Sequence, residues 1–204
     1  MINYDDIKSQ IIISMKNVEQ QYYTPLVAKS ELTSDTIKRE RNYCYELYHQ
    51  LRSNKILMEM IKENYTFSSE IDKRGHELFE DDLIPDFILH RPGKMSFENK
   101  DNLLVIEVKV VLDSNSYDGI AKDFYNLSLM LSEYGYQYGI FILINHDLNE
   151  FKRKFRYICN KSWFANMKEN QKEKFSEIDI ICSKEEGKID SIITLEKLMK
   201  EADL

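Results

Sequence analysis

Glycine and proline are scarce, at six and three in 204 residues. Without Gly/Pro-rich stretches nothing marks a flexible linker, and the length suits one compact domain with a substantial core. Cysteine is also rare. Cys44, Cys159 and Cys182 stand apart, with no C-x-x-C pair. That excludes a disulfide framework and a cysteine-built zinc site, and predicts a reducing, cytoplasmic setting. His49, His76, His90 and His146 form no H-E-x-x-H or other ligand pair, so a histidine-built zinc enzyme is excluded as well. P-loop, G-x-G-x-x-G and G-x-S-x-G motifs are all missing, as are internal repeats and low-complexity segments. No apolar run approaches the ~18 residues of a membrane span, and the acidic opening Met-Ile-Asn-Tyr-Asp-Asp is unlike a secretory signal. Positive charge is in deficit: 28 Lys and Arg against 35 Asp and Glu give a net charge of −7. This argues against a general-purpose nucleic-acid binder. The charge is uneven, however. Acids gather between Glu70 and Asp86, and bases between Lys152 and Lys174.

What the chain does contain is one strongly β-prone stretch, Leu103-Leu-Val-Ile-Glu-Val-Lys-Val-Val111, free of Gly and Pro. Alternate side chains of a strand point to opposite faces. Leu104, Ile106, Val108 and Val110 share one face; Leu103, Val105, Glu107, Lys109 and Val111 share the other. Both faces are mostly apolar, as in a central strand covered on both sides. Charges inside such a surface are costly unless paired. A second strand precedes it, Ile84-Pro-Asp-Phe-Ile-Leu-His90, entered through Pro85, which suits a first strand position. If the two pair as an antiparallel hairpin, Asp86 reaches the face of Glu107 and Lys109. Two carboxylates and a lysine then converge. An E-x-K on a strand is more often a solvated cross-strand ion pair. Asp86 and the apolar surroundings favour a site.

Pro85-Asp86 followed by Glu107-Val108-Lys109 resembles the signature of the PD-(D/E)xK nuclease superfamily. Leu103–Lys109 after Pro85–Arg91 is similar to a group of small bacterial nuclease-like proteins. The likeness covers roughly Glu40 to Asn145. It implies an Mg²⁺-dependent endonuclease, with Mn²⁺ as a substitute, cutting DNA rather than RNA. Asp86, Glu107 and the carbonyl of Val108 would be the metal ligands, and Asp86, Glu107, Lys109 and Glu40 the catalytic set. Glu40 matches the glutamate that the group carries near its first helix start. Glu46 is its competitor, but six residues on it lies about 240° round a helix, so both cannot face one point. The superfamily also places a polar residue on the helix after the lysine, and Lys122 and Tyr125 are the candidates. A defence system or mobile element is the context that analogy suggests. The alternatives are a catalytically inactive binding or assembly module on the same fold, and an RNase.

The expected fold is α/β: a mixed central β-sheet flanked by helices on both faces, a restriction-endonuclease-like core with N-terminal and C-terminal helical additions. All 204 residues form one domain. Residues 1–32 are a helical extension, 33–145 the motif-bearing core, and 146–204 a basic helical region with terminal strands. Ile7, Ile11, Met15 and Val18 predict a helix over Tyr4–Tyr23, although Ile11–Ile13 also reads as a strand. This segment packs against the core or forms part of a surface for a second copy or a protein partner. Thr33–Ser53 reads as a helix with Thr33 or Ser34 as N-cap. Leu57–Ile61 continues helical, and Asn64–Ile71 alternates as a strand, with Glu70 either a further site acid or an edge charge. A helix over Tyr117–Tyr134 leads to a buried strand, Ile140–Ile144, set parallel to the Lys109 strand. In the basic region Lys152, Arg153 and Arg156, interleaved with Tyr157, Trp163 and Phe164, are candidates to track phosphates and stack on bases. An ordinary amphipathic helix pair with a basic outer face fits that pattern equally. Glu177–Cys182 reads as an edge or outer strand, followed by a short strand over Ile189–Thr194 and a helix over Leu195–Glu201.

Overall fold

A computed structural model describes residues 3–30, 33–36, 39–62, 64–69, 83–91 and 101–202. The elements in chain order are α1 (Tyr4–Lys16), α2 (Gln20–Tyr23), β1 (Leu26–Ser30), β2 (Thr33–Thr36), α3 (Glu40–Ser53), α4 (Lys55–Ile61), β3 (Thr66–Ser69), β4 (Phe87–His90) and β5 (Asn102–Lys109). They continue as α5 (Tyr117–Glu133), β6 (Tyr138–Ile144), α6 (Leu148–Cys159), α7 (Ser162–Ala165), α8 (Glu169–Lys172), a 3₁₀ turn (Phe175–Glu177), β7 (Ile178–Ser183), β8 (Ser191–Thr194) and α9 (Leu195–Glu201). Glu70 and most of the acidic run up to Asp82 lie outside the described residues.

The centre is a six-stranded mixed sheet in the order β3-β4-β5-β6-β7-β8. β3, β4 and β5 run antiparallel, β5, β6 and β7 parallel, and β8 returns antiparallel. The α/β architecture and the parallel β5–β6 pair agree with the expectation from the apolar runs. Helices cover both faces, and the strand side chains feed two cores. Val105, Phe141, Leu143, Ile178 and Ile180 join Phe124, Phe151, Phe155, Phe164 and Leu198 under α5, α6, α7 and α9. Leu104, Ile106, Val108, Ile140 and Ile142 join Ile7, Ile11, Leu47, Leu51 and Leu57 under α1, α3 and α4. Burial on both faces is why β5, β6 and β7 read as near-continuous apolar runs.

Three expectations change. Thr33–Thr36 is not the start of a helix: it pairs antiparallel with Leu26–Ser30, and α3 begins at Glu40 with Arg39 as N-cap and no side-chain cap. Ser, Thr and Asp favour turns and extended ribbons as well as caps. The buried stripe of α3 starts only at Tyr43 and Cys44. The predicted Tyr4–Tyr23 helix is split between Lys16 and Gln20, where the Asn17 amide caps α1 by donating to Ser14 and Met15 carbonyls. Finally, β7 is not an edge. It pairs with β6 on one side and β8 on the other, and all six of its residues are buried. Its charged Asp179 is only 7% exposed. Its Oδ2 accepts from Tyr4 Oη (2.7 Å) and Lys8 Nζ (3.0 Å), so α1 supplies the partners that let a carboxylate sit there.

Phe124 is the hub of the α5-side core. Its ring stands 4.6 Å from Phe141 and 6.2–6.3 Å from Phe151, Phe155 and Phe164, with no solvent exposure. Phe124→Ala is expected to cost about 3–5 kcal/mol of folding free energy, read from urea denaturation. A loss below about 1 kcal/mol would mean the cluster does not hold α5 to the sheet.

Candidate active site

β4 and β5 set the geometry. Phe87 lies opposite Ile106 and Ile88 opposite Val105. The ladder ends there, and Asp86 is the bend residue just before β4, so it comes beside the Glu107 end of β5, where the Glu107 side chain lies on the same face as Val105. That is the α5 face, because Ile88 and Val105 both belong to the α5-side core. Lys109, two residues beyond Glu107, shares it. Asp86 is tied down directly: the Val108 N–H donates to its Oδ2 at 2.7 Å. A strand residue offers its N–H and C=O to the same side, so the Val108 carbonyl also points towards the Asp86 side of the strand.

Lys109 is gripped by groups from opposite layers. Its Nζ lies 3.3 Å from Glu40 Oε1 and 3.2 Å from Oε2, at the first residue of α3. The same Nζ lies 3.2 Å from Oδ2 of Asp123 on α5. That second contact is an ion pair without hydrogen-bond alignment, since no donor among the described residues meets the buried Asp123 Oδ2 in hydrogen-bond geometry. Asp123 is the residue that sequence reasoning missed. The signal was present: it stands three residues after Ile120 and four before Leu127, so an acid interrupts the buried stripe of α5. Lys122 and Tyr125 turn away instead. Lys122 Nζ sits 5.5 Å from the Trp163 ring centre and Tyr125 packs 5.4 Å from the same ring.

Four carboxyl groups (Asp86, Glu107, Asp123 and Glu40) act on the single Lys109 ammonium. Burial would lower the lysine's pKa, but Asp123, Glu40 and Glu107 outweigh it and raise it. Glu107, 5% exposed, is driven well above the usual carboxylate range by burial first and then by Asp123 and Asp86. Asp123 is pushed up to about 7, again by burial first, with Lys109 opposing. Cys44 lies one turn after Glu40 and feels all of Asp86, Glu40, Lys109 and Glu107. Its thiol is raised, by burial above all, so it is a protonated wall of the site and not a nucleophile.

Glu46 is elsewhere, accepting from Gln50 Nε2 at 2.6 Å on the same helix. In the basic region, Lys152 pairs with Glu201 (2.6 Å) and an Arg156 nitrogen donates to the Ala202 carbonyl (3.3 Å), so both attach α6 to the C-terminal helix. Arg153 is exposed. Phe164 is buried and Trp163 packs on the core, whereas Tyr157 is 61% exposed and stacks on Tyr117. Among the described residues no group of three His, Cys, Asp or Glu is arranged to hold a metal ion by itself. No helix among them is long and apolar enough to cross a membrane. No protein-family model, curated protein or solved structure matches the chain.

Glu107 and Asp123 bind protons more tightly in the folded chain than in the unfolded one. Their contribution to stability is therefore fully present below the unfolded carboxylate pKa and is lost as pH rises, for Asp123 up to about 7. In chelator-treated buffer the urea midpoint of Asp123→Asn is expected to gain on that of the wild type as pH rises from about 4 to 7. A constant gap between the two across that window overturns the assignment.

Proposed function

We infer that the chain is a divalent-cation-dependent nuclease with a restriction-endonuclease-like core of the PD-(D/E)xK type, hydrolysing phosphodiester bonds, in DNA rather than RNA. The observation that carries this reading is the meeting of Asp86, Glu107 and Lys109 at one end of two paired strands, with Asp86 on the Val108 N–H and Glu40 against the lysine. A structural salt bridge needs one acid per base. Among the described residues four acids act on this one base, in a place where burial makes charge expensive.

That excess suits Mg²⁺ or Mn²⁺. Mg²⁺ keeps several waters and takes only one or two carboxylates, so a three-residue cage is not required. Asp86 and Glu107 would hold it, with the Val108 carbonyl as a further oxygen. When bound, such an ion polarises a phosphodiester and lowers the pKa of water. Asp86 is kept in place for this by the Val108 N–H. Burial and the neighbouring acids favour the protonated form of Glu107, and a bound ion would favour its carboxylate. Lys109 stays protonated and supplies positive charge where negative charge accumulates on the phosphorus centre. Glu40, half-exposed at the mouth of the site, touches the lysine from the solvent side and would orient an attacking water.

A second reading has its own support. The net charge of −7, and two of the three candidate phosphate-binding bases being tied to the C-terminal helix, suit a catalytically silent module that acts through a protein partner. The two separate cleanly. Wild-type protein with Mg²⁺ or Mn²⁺ is expected to cut single- or double-stranded DNA. Asp86→Ala and Lys109→Ala should each lower the rate by about a hundredfold or more, with circular dichroism unchanged. Full activity in either variant rejects the assignment. Absence of cleavage together with no calorimetric binding of either ion selects the module.

A further inference from the structure

Lys109 ends in a flexible four-carbon stem, and such a side chain acts reproducibly only when something holds its ammonium. Two groups touch it, and they differ in kind. Glu40 is the first residue of α3, with no side-chain cap behind it, and its side chain is 36% exposed. Asp123 sits within α5, between Ile120 and Leu127, neither of which is exposed, and its own side chain is 11% exposed. The Asp123 backbone is thus anchored by core packing on both neighbouring turns, whereas Glu40 is anchored on one side only. A carboxylate in that stripe is an expensive choice where an apolar residue would pack well. Among the described residues its buried Oδ2 meets no donor in hydrogen-bond geometry, and the Lys109 ammonium is the charge beside it. Lys109 is its only salt-bridge partner among the described residues.

We propose that Asp123 is the positioning residue of this site: from the rigid interior of α5 it fixes the ammonium of Lys109, while Glu40 closes the contact from the solvent side. The consequence for turnover rests on the nuclease reading; the holding of Lys109 does not. Losing a fixed partner lets the lysine sample geometries that do not support the transition state, which lowers kcat and leaves substrate affinity in place.

The test has two arms, so failure of one is distinguishable from failure of the other. The first reads side-chain order of the Lys109 ε-methylene by ¹³C relaxation in metal-free protein. Order is expected to fall in Asp123→Asn, which keeps the side-chain shape and removes charge from an acid-rich pocket. It should be retained in Asp123→Glu, which keeps the charge. Glu40→Gln, a change at the solvent-facing rim, is expected to leave Lys109 ordered. A Lys109 that stays ordered in Asp123→Asn, or that becomes mobile in Glu40→Gln, overturns the proposal. The second arm is steady-state cleavage of DNA with Mg²⁺. Asp123→Asn should lower kcat by about tenfold to a hundredfold with KM changed by less than about twofold. An unchanged kcat overturns the positioning role. If the wild type cuts nothing while Lys109 order still depends on Asp123, the nuclease reading falls and the holding of the lysine stands.

Discussion

The register between β4 and β5 is the constraint on which the site depends. Phe87 opposite Ile106 brings Asp86, the residue just before β4, to the Glu107–Lys109 end of β5, where the Val108 N–H fastens its carboxylate at 2.7 Å. Side chains alternate along a strand, so a slip by one residue would turn every side chain of β4 to the other face and carry Asp86 away from Val108. The slip is prevented by the cores themselves. Phe87 and Leu89 are buried with α1, α3 and α4, and Ile88 with α5. Moving any of them would expose an apolar side chain on one face and bury a polar one on the other. The same packing that makes the sheet therefore also aligns its charges.

Those charges pull against stability. Glu107 is almost wholly buried and Asp123 interrupts an apolar stripe, so the folded chain favours their protonated forms. Desolvation of a carboxylate without a full complement of partners costs several kcal/mol per ion. Asp179 shows how the same fold treats a structural acid: Tyr4 and Lys8 both donate to it, and its surroundings add no further acid on its own strand. A carboxylate satisfied by two donors at β7 contrasts with the set of acids around Lys109, and the proposed function rests on that contrast.

Much of the framework was legible one element at a time. The apolar runs of β5 and β6, the α5 stripe of Ile120, Phe124, Leu127 and Leu131, and the Pro85 entry to the Asp86 segment all carry strong local signals, because burial on a face imposes a period on sequence. Signals shared by two structures misled. Thr33 and Ser34 suit a helix cap and a ribbon equally, and the ribbon with Leu26–Ser30 prevailed because its backbone groups find partners there. Glu177–Cys182 read as an edge or outer strand, yet its Asp179 is buried against Tyr4 and Lys8, which lie some 170 residues away in sequence. Lys122 and Tyr125 were chosen on α5 for their chemistry, and helix rotation directs them to Trp163 and gives the site-facing place to Asp123.

The sequence alone determined the α/β class, the position of the charged strand, and the apolar segment after Asp86 that pairs with it, since hydrophobic periodicity and strand alternation are local properties of a chain. The tertiary structure alone decided which groups hold the lysine. Glu40 and Asp123 belong to helices on opposite faces of the sheet, 83 residues apart in the numbering. Their meeting at one ammonium depends on how each helix is rotated against its core, a quantity set by the packing of many side chains at once and written in no single stretch of residues.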